Sequence, residues 1–177
     1  RRSSDLRDVD RGSYLRWVEV ANRDFESRLR WCVAGKYEDA NHKPVIAIPG
    51  GLEKTVKSGE TVTLNADITE PDSLDIDGIW AKYSALYEQL GFNKESFVEI
   101  APQRYPKYNA YWWQYKEAGT YNGYIDIVAV DSGKSTFVAP KVDKPETLHL
   151  ILEVTDTGIP ALTTFARVIV TIFPTDK

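Results

Sequence analysis

Residues 146–173, ETLHLILEVTDTGIPALTTFARVIVTIF, contain two runs in which apolar residues return at every second position. In the first run Leu148, Leu150, Leu152 and Val154 share one parity, with Thr147, His149 and Glu153 on the other. In the second, Ala166, Val168, Val170 and Ile172 alternate with Arg167 and Thr171. Side chains point to opposite faces along a strand, so each run has one apolar and one largely polar face. Asp156, Gly158 and Pro160 interrupt the rhythm, as a loop does. Two half-buried antiparallel strands need an apolar surface to pack on. A second sheet supplies it, and the expectation is a β-sandwich whose function lies on its surface.

The rest of the chain supports this reading. Val45–Ile48, Leu52–Val56, 61–68, 76–80, 113–115, 124–130 and 135–138 read as further strands. Pro49-Gly50-Gly51, Lys57-Ser58-Gly59-Glu60 and Glu117-Ala118-Gly119-Thr120 read as turns between them. Turn signals every ~8–12 residues suit an immunoglobulin-like antiparallel sandwich better than a parallel α/β sheet. Residues 81–112 do not fit the strand count. AKYSALYEQL looks helical up to Gly91, and the Tyr- and Pro-rich stretch after it completes a partly helical insertion.

Before the sandwich comes a different period. Residues 1–12 are charged and read as loosely ordered. From Ser13, a candidate cap, Tyr14, Trp17, Val18, Ala21, Phe25, Leu29 and Cys32 recur at three- and four-residue spacing, which predicts an amphipathic helix that Gly35 either ends or separates from a last turn through Tyr37 and Ala40. An isolated helix of this kind is marginal without packing, so its apolar stripe is expected to dock on the sandwich. Pro44 disfavours helix at Lys43 and marks the boundary. The division is therefore a linker and helix over 1–43 and a sandwich over 44–177.

Composition excludes several classes. The net charge of -4 argues against nucleic acid and anionic membrane surfaces as partners. No apolar run is long enough to cross a bilayer as a helix. One cysteine rules out an internal disulfide framework or a cysteine-rich zinc site. The start RRSSDLRDVDRG lacks the apolar stretch of a signal peptide, and the chain reads as a piece of a longer protein.

No spacing picks out a catalytic pair. Glycoside hydrolysis needs two carboxylates at a fixed separation, and the loop acids show none. His42 and His149 are lone and read as structural. No nucleophile elbow, metalloprotease motif or phosphate loop occurs. No cofactor is expected. Asp72, Asp75 and Asp77, with Asp156, are the loop acids a calcium ion would use, and they read first as turn formers.

The unusual feature is aromatic content, with Trp 5 and Tyr 10. Tyr105, Tyr108, Asn109, Tyr111 and Trp112 combine rings for stacking with an amide for hydroxyl groups, the composition of a carbohydrate-binding patch. Trp113 and Tyr115 read as core strand residues, with Tyr121 closing a turn over them.

Several separated motifs, in order, carry a resemblance. Ser13-Tyr14-Leu15-x-Trp17, Asn22-x-Asp24-Phe25-x-x-Arg28-x-x-Trp31-Cys32 and Ala40-Asn41-His42-x-Pro44 resemble the end of the nucleoside-hydrolase-like domain in a bacterial family described as cellulose-binding proteins. Gly59-x-x-Val62-x-Leu64-x-Ala66, Trp113-x-Tyr115-x-Glu117-Ala118-Gly119-Thr120-Tyr121 and 148–162 are similar to that family's C-terminal immunoglobulin- or cadherin-like module. The insertion over 81–112 departs from the pattern. The family's front domain, which would hold an acidic cluster and hydrolytic chemistry, has no counterpart in these residues, so no catalytic role passes to any of them. The resemblance implies a non-catalytic accessory module of an exported bacterial protein, extracellular or periplasmic. Its partners would be its own hydrolase-like domain and a polysaccharide such as cellulose. Two alternatives stay open. The module stabilises the hydrolase-like domain, or it lends that domain's active site a loop from 81–112.

Overall fold

The computed structural model describes residues 3–72, 76–104 and 107–175. Helix α1 spans Ser3–Trp31. Strands β1 (Val45–Ala47), β2 (Glu53–Lys57), β3 (Thr61–Asn65) and β4 (Asp67–Thr69) follow. Helices α2 (Ile76–Gln89) and α3 (Lys94–Arg104) come next. Strands β5 (Tyr108–Gln114), β6 (Val128–Ala129), β7 (Lys134–Val138), β8 (Glu146–Asp156) and β9 (Thr163–Phe173) complete the order. The chain falls into two compact units. One comprises Pro44–Pro71, Tyr108–Thr155 and Thr164–Lys177; the other Arg1–Lys43, Asp72–Lys107 and Asp156–Thr163.

The first unit is the sandwich. One sheet has the order β2-β9-β8-β5 and a second β3-β7-β6, with β1 and β4 as a separate pair. Val62 and Leu64 of β3 and Phe137 of β7 share a core with Leu148, Leu150, Leu152 and Val154 of β8 and Val168, Val170 and Ile172 of β9. These are the residues whose two-residue rhythm predicted a buried face. Each fully buried Leu, Val or Ile contributes about 1.5–3 kcal/mol of hydrophobic stabilisation. The fold is the expected immunoglobulin-like, mainly β sandwich.

It departs from the sequence reading in four places. β2 runs parallel to β9, from Glu53 opposite Ile169 to Lys57 opposite Phe173. Parallel neighbours need a long crossover, and these two strands stand at opposite ends of the sandwich sequence. The expected strand over 61–68 breaks at Ala66, whose N–H donates to Gly133 O at 3.0 Å, and β4 pairs instead with β1. The strand expected over 124–130 shrinks to Val128–Ala129. Residues 108–112, placed in the insertion, belong to β5.

The second unit is helical. The strand expected at 76–80 is the start of α2. Ile76, Ile79, Trp80 and Tyr87 keep helical spacing and gather with Phe92, Phe97 and Ala101 into a small core. There the Tyr87 and Phe97 ring centroids lie 4.7 Å apart. Helix α3 was not anticipated. Asn93 starts it by a reciprocal cap: Ser96 N–H donates to Asn93 Oδ1 at 2.8 Å and Asn93 N–H to Ser96 Oγ at 3.1 Å.

Helix α1 begins at Ser3, not at Ser13, and ends at Trp31 rather than near Gly35. Leu6, Arg7 and Arg11 favour helix there, and Gly12 costs only about 1 kcal/mol. Glu19–Arg23, Asp24–Arg28 and Glu26–Arg30 pairs brace the exposed side at i,i+4 spacing. Within the stripe, Tyr14, Phe25 and Leu29 are 68%, 63% and 54% exposed, while Trp17 and Val18 are half-buried. The covered side is polar. Ser27 is buried and donates from Oγ to Asn41 O at 3.3 Å. Trp31 Nε1 donates to the same carbonyl at 2.8 Å, and Asp24 pairs with Lys43.

Two distant motifs meet in this unit. Asn41 Nδ2 donates to Asp156 Oδ2 and to Pro160 O, both at 2.9 Å. Asp156 Oδ1 accepts from the N–H groups of Gly158 and Leu162, also at 2.9 Å. A Cβ on Gly158 would overlap the Asn41 amide, whose nitrogen is held by two acceptors. Beside it, the His42 ring stacks on Tyr37 with centroids 3.6 Å apart and on Trp31 at 5.6 Å.

Candidate functional site

Strand alternation decides which candidate residues face solvent. In β5, Tyr108, Ala110 and Trp112 turn to the core. Asn109, Tyr111 and Trp113 turn outward, with Tyr111 52% exposed. Trp112 is 7% exposed and its Nε1 donates to Gly133 O at 3.2 Å. It is a core residue that no ligand reaches, and half-buried Tyr108 packs beside it. Tyr105 lies outside the described residues. Trp113 and Tyr115, expected in the core, are only half-buried.

On β8 the parity opposite the core holds Thr147, His149, Glu153 and Thr155, all half-buried, and Ile151, which is buried. Glu153 is where the two strands meet chemically. Its Oε2 accepts from Trp113 Nε1 at 3.2 Å. The Tyr111 hydroxyl is pushed up to about 12 by burial first, then by its hydrogen bond to Glu153 and that group's charge. Trp113 meets Tyr115 edge to face, with centroids 5.8 Å apart and planes at 72°. Tyr115 N–H donates to His149 O at 2.7 Å. Burial, and next the charge of Arg167, hold the His149 imidazole below its ordinary value. Its Nδ1 is buried with no hydrogen-bond partner among the described residues. The result is a face with one well-exposed ring, a second ring tied to a carboxylate, and an amide at Asn109.

Sequence reasoning missed Glu153 and Trp113 as members of this face. The signal was present: counting YNAYWWQY by twos puts Tyr111, Trp113 and Tyr115 on one side and Tyr108 and Trp112 on the other. The loop acids are engaged elsewhere. Asp72 accepts from the His42 backbone N–H and lies 3.0 Å from His42 Nδ1. Asp77 pairs with Lys94 Nζ at 2.8 Å, and Asp75 lies outside the described residues. Among the described residues, no three His, Cys, Asp or Glu side chains converge as a metal site would need. A separate shallow groove of about 480 Å³ is lined by Ile46, Ile48, Leu52, Phe165 and Ile169, with Glu53 and Arg167 at its polar points. No helix among the described residues is long and apolar enough to cross a membrane.

Fold and face together define an immunoglobulin-like sandwich module with an aromatic and carboxylate surface on its four-stranded sheet. The family described as "Cellulose-binding protein Sde0182, C-terminal domain" matches residues 106–172, from just before β5 to the end of β9. The chain is similar over 89% of its length to a nucleoside hydrolase-related hypothetical protein from Saccharophagus degradans that is associated with carbohydrate metabolism, at 23% identity and a TM-score of 0.66. It spans 32% of that relative, and at this identity the likeness speaks for the fold alone. Both findings agree with the resemblance carried by the motifs. Titin M3 aligns at a TM-score of 0.34 and 11% identity, over 72% of this chain and 96% of titin M3. Protocadherin gammaB7 aligns at 0.35 and 14%, over 76% of this chain and 25% of that one. No curated protein matches this chain.

Proposed function

We propose that the sandwich is a non-catalytic accessory module that binds polysaccharide through the outward face of β5 and β8, within an exported bacterial protein that also carries a hydrolase-like domain. One observation carries the reading. Glu153 holds the Trp113 indole at Nε1, which places a carboxylate next in the row to the exposed Tyr111 ring, whose hydroxyl feels that charge. A ring offers its face to the apolar C–H side of a sugar, while the carboxylate and the Asn109 amide serve its hydroxyl groups. The matched family's description, which names cellulose, supports the ligand class, and its span contains the face. No metal or cofactor is required for this recognition. A glycan array tests it. Binding by this chain alone supports a sugar module; binding only by a longer protein that includes the hydrolase-like domain counts against it.

A second reading rests on α1. Tyr14, Phe25 and Leu29 stay exposed, and a partly uncovered stripe on a long helix fits a helix whose partner is the hydrolase-like domain. In that case the module orients or stabilises the catalytic part. Hydrogen exchange separates the readings. Unprotected amides across 14–33 in this chain, protected in the longer protein, support the architectural role; protection in both removes it.

A further inference from the structure

We infer that the ligand of the Tyr111 face is a single, neutral, soluble β-glucan chain rather than the flat surface of crystalline cellulose; this rests on the polysaccharide-binding reading above. A crystalline face is planar, and a protein grips it with several exposed rings in one plane. The three outward rings of this strand region cannot supply that plane. Residues two apart on a strand are spaced about 6.8 Å, so Tyr111 and Trp113 sit in line on β5, with Tyr115 just past its end. The Trp113 and Tyr115 planes nevertheless stand at 72°. A flat lattice that lies on one ring must therefore meet the other nearly edge-on. Trp113 is also held at its Nε1 by Glu153, which fixes its tilt. Tyr111, at 52% exposure, remains as the one ring open for stacking.

One stacking ring beside a carboxylate is the equipment for reading one sugar unit at a time. A carboxylate has about four lone-pair positions. Trp113 Nε1 takes one. The others can accept hydroxyl hydrogens from a sugar stacked on Tyr111. In a crystal those hydroxyls already bond to neighbouring chains, whereas a free chain presents them. The Glu153 charge disfavours uronic acid or sulfated chains, hence a neutral glycan. β-linked glucose units suit the ring because their equatorial hydroxyls leave both sugar faces apolar.

The test uses the whole chain with two probes, cellohexaose by calorimetry and microcrystalline cellulose by pull-down. The variants are Tyr111→Ala and Glu153→Gln, each checked for an unchanged folded spectrum. The expected result is cellohexaose binding weakened about tenfold by Tyr111→Ala, the size of one lost aromatic stack. Glu153→Gln, which keeps the shape and loses the charge, should also weaken it, with little retention on the crystalline solid. Retention on microcrystalline cellulose that Tyr111→Ala abolishes, without cellohexaose binding, overturns this inference and leaves the polysaccharide reading standing. Binding of neither probe overturns both. Cellohexaose binding indifferent to both substitutions overturns the assignment to this face.

Discussion

Asn41 Nδ2 lies 2.9 Å from Asp156 Oδ2, a hydrogen bond between residues 115 apart in the chain. The same amide nitrogen reaches Pro160 O, so one short side chain closes the loop between β8 and β9. Asp156 is 3% exposed. Burial pushes its carboxyl above the ordinary value, and the Leu162 and Gly158 N–H groups and the Asn41 amide pull it back. Asn41→Ala should therefore destabilise the chain by about 1–3 kcal/mol, because it leaves a buried acceptor unsatisfied. The sign with pH follows. A carboxyl whose folded pKa is raised favours folding below its ordinary 3.8 and loses that contribution as the pH rises through the folded value. Removing Asn41 raises it further, so the loss should be larger at neutral pH than in acid. Urea unfolding of both proteins at the two pH values measures this; an equal loss at both would show that Asp156 does not feel Asn41.

That contact marks a limit of what the sequence makes readable. Ala40-Asn41-His42-x-Pro44 and the Asp156-x-Gly158-x-Pro160 turn were both visible as motifs, but nothing local says that they touch. The sandwich was legible because Leu148 to Val154 and Ala166 to Ile172 each repeat a two-residue rhythm that only a buried sheet face explains. The helix from Tyr14 was legible by its period. Its covered side was not, because that side is held by Ser27, Asp24 and Trp31 through polar bonds to 41–43, and such bonds leave no hydrophobic period. Ile76 to Trp80 misled in the opposite way. Apolar residues around Gly78 resemble a short strand, and their helical spacing shows only when Tyr87 is counted with them.

The adjacent tryptophans of β5 test the placement of the face. Trp112 is buried and donates to Gly133 O, so Trp112→Ala removes a core indole and leaves Gly133 O only the Ala66 N–H. Its expected cost is about 3–5 kcal/mol. Trp113 is half-buried on the other side, and Trp113→Ala should cost about 1 kcal/mol, the ordinary scale for a single substitution. Thermal or urea unfolding of the pair decides. A larger loss for Trp113→Ala than for Trp112→Ala would mean that β5 is shifted by one residue, which would move Tyr111 into the core.

His149 should make the chain sensitive to acid. Burial, and then Arg167, hold its imidazole below the ordinary 6.5. A histidine depressed in the folded state takes up its proton more readily when unfolded. Its contribution is thus present above pH 6.5 and is lost as the pH falls through the lower, folded value. His149→Gln cannot be protonated and should flatten the acid limb of a plot of unfolding midpoint against pH. An unchanged limb would assign the acid sensitivity to other groups.

Tyr111 reports on Glu153 directly. Its hydroxyl titrates at about 12 rather than 10.0 because burial, then the Glu153 hydrogen bond and charge, disfavour the phenolate. A group raised in this way stabilises the fold fully below 10.0 and loses that contribution as the pH rises through about 12. Glu153→Gln keeps an acceptor and removes the charge, so Tyr111 should titrate closer to its ordinary value. The phenolate absorbance of the chain, with that of Tyr111→Phe subtracted, isolates this one ring. If Glu153→Gln leaves the difference curve where it was, burial alone holds the hydroxyl, and the carboxylate is not close enough to share a sugar with the ring.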